Sequence, residues 1–250
     1  MLNRCKNTAL GNEKTYLNAQ ASHELRQAVD AFIENKVTEW NATIPFAQHF
    51  EGSKIHDAYY ERHLIETIWR IRLLRVVESK ALAEIAKKNA LAAQIWANYE
   101  NEEMTHDELF AQDLKARGIS REAILATEPY LSTKLLSGFF SYLLDHEGPL
   151  GVVAYSYLVE TVNVKMEPKK LSAMKISLGE QNIRGQIAHS HTDTKDDHPG
   201  EVWQVVRHLI NNENDTKNLY RYLSEMQEIL AMYFREIYED QVKNKTGIAA

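Results

Sequence analysis

Residues 219–237 read LYRYLSEMQEILAMYFREI. Leu219, Tyr222, Leu223, Met226, Ile229, Leu230, Tyr233, Phe234 and Ile237 recur at steps of three and four. That spacing puts all nine on one stripe of an α-helix, because 3.6 residues complete a turn. A stripe this wide must be covered by other helices or by a partner. Working back along the chain, residues 54–88 contain no Gly or Pro and carry Leu64, Ile68, Leu73, Val77 and Ile85, predicting one long buried helix or a helix pair. Leu25, Val29, Phe32, Ile33 and Val37 predict a first helix from an N-cap at Ser22. Residues 89–117 predict a further helix closed by Gly118, and 133–145 a short one. A helix after Gly151 is predicted to end near Met166, with Pro168 opening the next segment.

Ten Gly and five Pro in 250 residues are too few for the turns of a large sheet protein. The expected fold is therefore one all-α domain of seven to nine helices over residues 22–244, preceded by a flexible N-terminal arm, 1–21. A single cysteine, Cys5, excludes an internal disulfide and thiolate zinc sites. No apolar run is long enough to span a membrane, and the first residues have no apolar signal core, so a cytoplasmic protein is expected. A net charge of -6 without a basic run argues against nucleic acid as partner.

Three elements do not fit a bland bundle. Glu103 and His106 form a Glu-x-x-His pair, one turn apart on the face that also carries Tyr99 and Phe110. Helical iron and manganese sites use this spacing, although a solvated acidic patch would show it too. Glu160 is the only charged residue between Glu147 and Lys165. Its apolar surroundings demand a strong partner, either a metal or a buried Tyr or Lys. His191, Lys195 and His198 stand at i, i+4 and i+7, one face of a helix if it is continuous. Pro199 works against that continuity by removing the N–H that would bond the Lys195 carbonyl. Oxygen and nitrogen donors without thiolate suit iron or manganese better than structural zinc.

In combination these motifs resemble the haem-oxygenase-like helical superfamily, which includes TenA thiaminases and the PQQ-synthesis oxidase. The resemblance is strongest to its di-iron oxidases. That branch carries Glu-x-x-His on one helix, a Glu on the next and His-x-x-x-Asp-x-x-His on a third. The resemblance assigns Glu103, His106, Glu160, His191 and His198 as metal ligands. It implies one or two irons, no haem, dioxygen as co-substrate and a small amino or fatty acid as substrate, in a homodimer. Lys195 stands where the family has Asp. A cation there repels a metal, leaving open one ion, two, or none. In a metal-free enzyme of TenA type, Lys195 would itself be the catalytic residue, in acid–base work. A non-catalytic helical interaction protein is the third alternative. Glu66, on the preceding long helix, stands one turn from Arg70 and reads as half of a surface ion pair.

Overall fold

The computed structural model describes residues 15–45 and 55–244, and of residues 166–168 and 191–196 it describes the backbone alone. The described residues form ten α-helices and no strand. In chain order these are α1 (Ala19–Thr43), α2 (Asp57–Lys88), α3 (Ala90–Glu103), α4 (His106–Ala116), α5 (Arg121–Ala126), α6 (Leu131–His146), α7 (Leu150–Leu178), α8 (Arg184–Asp196), α9 (His198–Leu209) and α10 (Glu213–Tyr238). Nine are long and α5 is a single six-residue segment. None is long and apolar enough to cross a membrane.

The chain pairs its helices through two buried apolar clusters. The larger joins α1, α3, α6, α9 and α10 to one face of α2 and the first half of α7, around Trp96, Trp203, Phe140 and Tyr157. The smaller joins the start of α2 to α4 and the end of α7, around Leu64, Phe110, Leu114 and Met174. Because α2 and α7 are long enough to serve both, the space between the clusters falls inside the bundle.

Helix ends account for most departures from the sequence expectation. Helix α1 starts at Ala19, capped by the Asn18 side chain, which accepts the Ala21 N–H. Ser22 lies in the helix, where its hydroxyl accepts the Trp203 indole N–H at 3.0 Å. Of the expected arm, residues 1–14 lie outside the described residues, and Leu17 is buried in the larger cluster. The expected helix 89–117 is two helices. Thr105-His106-Asp107-Glu108 has the S/T-x-x-E pattern of a helix start, and its two acidic residues favour a fresh N-terminus. Asp107 then ion-pairs across to Arg75 (2.6 Å) and Arg72 (3.4 Å) of α2, which fixes the new axis. Gly118 closes α4 with φ +83°, as expected of a left-handed C-terminal glycine. Helix α7 does not stop at Met166 but runs through Pro168 to Leu178. One missing backbone bond does not outweigh the burial of Met174 and Leu178 beyond it.

At Gly185, α8 crosses α4 backbone to backbone. A Cβ there would lie 1.9 Å from the Leu109 carbonyl oxygen. Asp113 of α4 accepts the N–H groups of Gly185 (2.6 Å) and Gln186 (2.8 Å), and so seals the first turn of α8. Gly185→Ala is expected to destabilise the protein by about 1–3 kcal/mol or more in urea unfolding, because backbone, not a flexible side chain, blocks the methyl group. An unchanged midpoint would show that α8 does not approach α4 so closely.

Candidate metal centre

Three helix ends and the interiors of α7 and α8 deliver the polar groups. Glu103 is the last residue of α3, and His106 the first of α4. The break between them turns His106 so that its Nδ1 lies 2.7 Å from Glu103 Oε2. Helix α7 brings Glu160, which is 2% exposed. Helix α8 ends at Asp196, and Asp197 takes the left-handed conformation with φ 52°. Asp197 caps α9 by accepting the Gly200 N–H, and Pro199 sits in the first turn. His198 is thus the first residue of α9 and is fully buried.

The expected single face of His191, Lys195 and His198 is therefore broken. Pro199 cannot continue α8, so the chain reverses handedness for one residue and restarts. Asp197, one conceivable substitute ligand, is occupied as a cap. The side chains of His191 and Lys195 lie outside the described residues. Among the described side chains of α8, His189 enters the cluster, a residue the sequence analysis did not select. It packs against Phe110 (5.1 Å between centroids) and edge-on to His106 (4.6 Å).

Two groups of three converge. Ligand atoms of Glu103, His106 and His189 all lie within 4.8 Å of one another, as do those of Glu103, Glu160 and His198. Glu103 belongs to both groups. Its Oε2 faces His106, and its Oε1 lies 3.3 Å from His198 Nδ1. The two oxygens of Glu103 are thus turned to different imidazoles. Glu160 divides its oxygens in a similar way. Oε1 accepts the Tyr99 phenol at 3.0 Å, and Oε2 lies 3.8 Å from His198 Nδ1. The buried tyrosine partner anticipated for Glu160 is thus present. His198 turns Nδ1 inward and Nε2 outward, where Glu102 Oε2 lies 2.9 Å away. A carboxylate behind an imidazole is how metal-bound histidines are held in one tautomer and made more basic.

Charge in the cluster is strongly coupled. Burial alone would raise the Glu103 carboxyl, but the imidazoles of His106 and His198 outweigh it and hold it at about 2. Burial likewise opposes the charge on His198, yet Glu103, Glu102 and Glu160 push its pKa up to about 10. Without a metal the site balances itself with protons. Buried atoms still lack aligned hydrogen bonds, among them Glu103 Oε1 and His106 Nδ1. Such atoms are expensive in a protein interior unless something else coordinates them. Carboxylate and imidazole donors, two converging sets of three and a carboxylate behind one imidazole all fit a hard or borderline divalent ion such as iron or manganese.

The cluster opens onto a cavity between the two apolar clusters, with about 1260 Å³ of empty space including the solvent at its mouth. Glu78, Glu100, Glu103 and Glu160 all line it. Burial, then the Glu103 charge, push Glu100 up to about 8 against the pull of Arg75. Burial, then the Glu100 and Glu103 charges, raise Glu78 against the pull of Arg75. Glu66 is not part of this wall, nor is it a surface residue. It is 0% exposed, pairs with Arg62 at 2.5 Å and accepts from the Tyr130 N–H and the Thr133 hydroxyl. Its acceptors are thus spent on joining α2 to the start of α6.

Residues 69–233 match the family model described as iron-containing redox enzyme. The chain belongs to that family, within the haem-oxygenase-like superfamily. No curated protein matches the sequence. Among solved structures, a domain with a haem oxygenase-like fold from Shewanella denitrificans superposes with a TM-score of 0.76 at 20% identity, covering 89% of this chain and 96% of that one. A TenA homologue from Pseudomonas syringae superposes with a TM-score of 0.68 at 12% identity, over 91% of this chain and 98% of that one. A TenA homologue from P. horikoshii gives 0.64 at 12% identity, over 86% and 98%. At these identities the likeness concerns the fold.

Glu100 makes the electrostatics measurable. A carboxyl whose pKa rises from 4.5 unfolded to about 8 folded binds protons that the unfolded chain does not. At this group, metal-free protein loses stability as pH rises from about 4.5 to about 8, with no further loss above that. Glu100→Gln, studied with chelator present, is expected to melt above wild type at about pH 9, the gap closing towards about pH 5. A gap independent of pH would contradict a buried, raised acid.

Proposed function

We propose that this chain is a non-haem iron oxidase or oxygenase acting on a small organic acid. The observation that carries the reading is the sharing of Glu103 between two sets of buried donors, one with His106 and His189, the other with Glu160 and His198. Membership of the iron-containing redox family supports it. Glu103, His106 and His189 would hold one iron, and Glu103, Glu160 and His198 a second. Iron, when bound, would supply the activation of dioxygen.

The remaining tasks fall to the chain's own residues. Tyr99 orients Glu160 through its phenol, and Glu102 fixes the His198 ring. Buried Glu100, neutral over most of the physiological range, is placed on the cavity wall to give or take a proton. The apolar wall excludes bulk water and takes the hydrocarbon part of a substrate.

Anaerobic equilibrium dialysis with Fe(II) tests the ligand set. Glu103→Ala and His189→Ala are each expected to weaken iron binding by more than about 100-fold, beyond the roughly 10- to 100-fold that follows loss of an outer partner, as in Glu102→Ala. Admitting dioxygen to the loaded wild type is expected to produce an absorption band absent from the metal-free protein. Wild type that binds no iron, or iron binding unchanged in Glu103→Ala, would refute the reading. Turnover unaffected by chelators would favour a metal-free enzyme.

A further inference from the structure

The cavity has a second charged end that the metal ligands do not use. Arg70 of α2 lines it, partly accessible. Its Nη2 donates to Thr67 Oγ1 at 2.8 Å, its guanidinium lies 4.4 Å from the Tyr233 ring centre, and the phenols of Tyr155 and Tyr233 are beside it. Nη1 is buried without a hydrogen-bond acceptor. Among the described residues, Arg70 forms no ion pair. Glu66, one turn away, pairs with Arg62 instead. Neutral phenols and a hydroxyl solvate a guanidinium without neutralising it, and the Glu66 charge reaches Arg70 without forming an ion pair with it. The other cations on the wall are already engaged. Arg75 is bound to Asp107, and Lys170 has a partner.

Position along α2 adds a direction. Glu78, at the acidic end beside Glu100 and Glu103, stands eight residues after Arg70, about 12 Å along the helix axis. Between the two ends the wall is apolar, with Ile71, Leu74, Leu158 and Val159. A ligand that matches Arg70 and the apolar wall carries an anion at one terminus and extends hydrocarbon toward the cluster. The planar fork of Arg selects a carboxylate over a neutral amide by charge and by paired donors.

From this geometry we infer that Arg70 is the carboxylate anchor of the substrate pocket, holding an apolar, medium-length carboxylic acid with its acid group away from Glu103 and Glu160. The site of oxidation is then a carbon of the chain remote from the carboxylate. The direction of the substrate rests on the proposed iron function, but the anchor does not.

Calorimetric titration of metal-free full-length protein with octanoate and octanamide tests the anchor. Wild type is expected to bind octanoate about 10- to 100-fold more tightly than octanamide. Arg70→Met is expected to lose that preference while still binding the amide, and Arg70→Lys to keep part of it. The Lys variant preserves the charge and so serves if the Met variant does not fold. No binding of octanoate to wild type, equal binding of acid and amide, or a preference undiminished in both Arg70 variants would overturn the inference. A preference that appears only with Fe(II) added would place the carboxylate at the metal, overturning the anchor while leaving the iron function standing. A preference carried by Arg70 in a protein that binds no iron would support the anchor and refute the iron function.

Discussion

The structure turns on one largely enclosed carboxylate with a histidine at each oxygen. Glu103 faces His106 through Oε2 and His198 through Oε1, with Glu160 and His189 closing the two sides. So many ionisable groups cannot be placed in an apolar bundle unless they compensate one another. Here the compensation is reciprocal: the histidines hold Glu103 low, and the carboxylates hold His198 high. The same set presents its lone pairs inward, so protons and a divalent ion would compete for the same positions.

The bundle is divided in two to make room for this. A single continuous core would have packed α2 against α7 along their length. Instead two apolar clusters grip the ends of these long helices, and the charged cavity occupies the space between. Three of the converging side chains sit at helix ends, where the axis can be redirected within one or two residues: Glu103 closes α3, His106 opens α4 and His198 opens α9. Each break is held from outside the site. Asp107 ties α4 to α2, Asp197 caps α9, and Asp113 binds the start of α8 beside Gly185.

Much of this was legible in the sequence. Periodicity defined α2 and α10, scarcity of Gly and Pro excluded sheets, and the isolation of Glu160 among apolar residues marked it as a buried group needing a partner. Glu103, His106, Glu160 and His198 meet as the motif spacing implied. What spacing could not convey was where helices break. Reading His191, Lys195 and His198 as one face assumed an unbroken helix, and Pro199 with left-handed Asp197 breaks it. His189 was passed over because its inward direction depends on how Asp113 and Gly185 seat α8 on α4, which is a tertiary fact. Glu66 was misread for a related reason: its pairing with Arg62 and Thr133 depends on α6, distant in sequence. The Thr105-x-x-Glu108 helix start was visible in the sequence and would have divided 89–117 correctly.

Anomalous diffraction at the iron edge, from crystals grown anaerobically with Fe(II), addresses the central claim most directly. The account predicts two peaks, one between Glu103, His106 and His189 and one between Glu103, Glu160 and His198, with the Glu103 carboxylate touching both. Absence of any peak there, or iron bound elsewhere with Glu103 still held by its histidines, would contradict it.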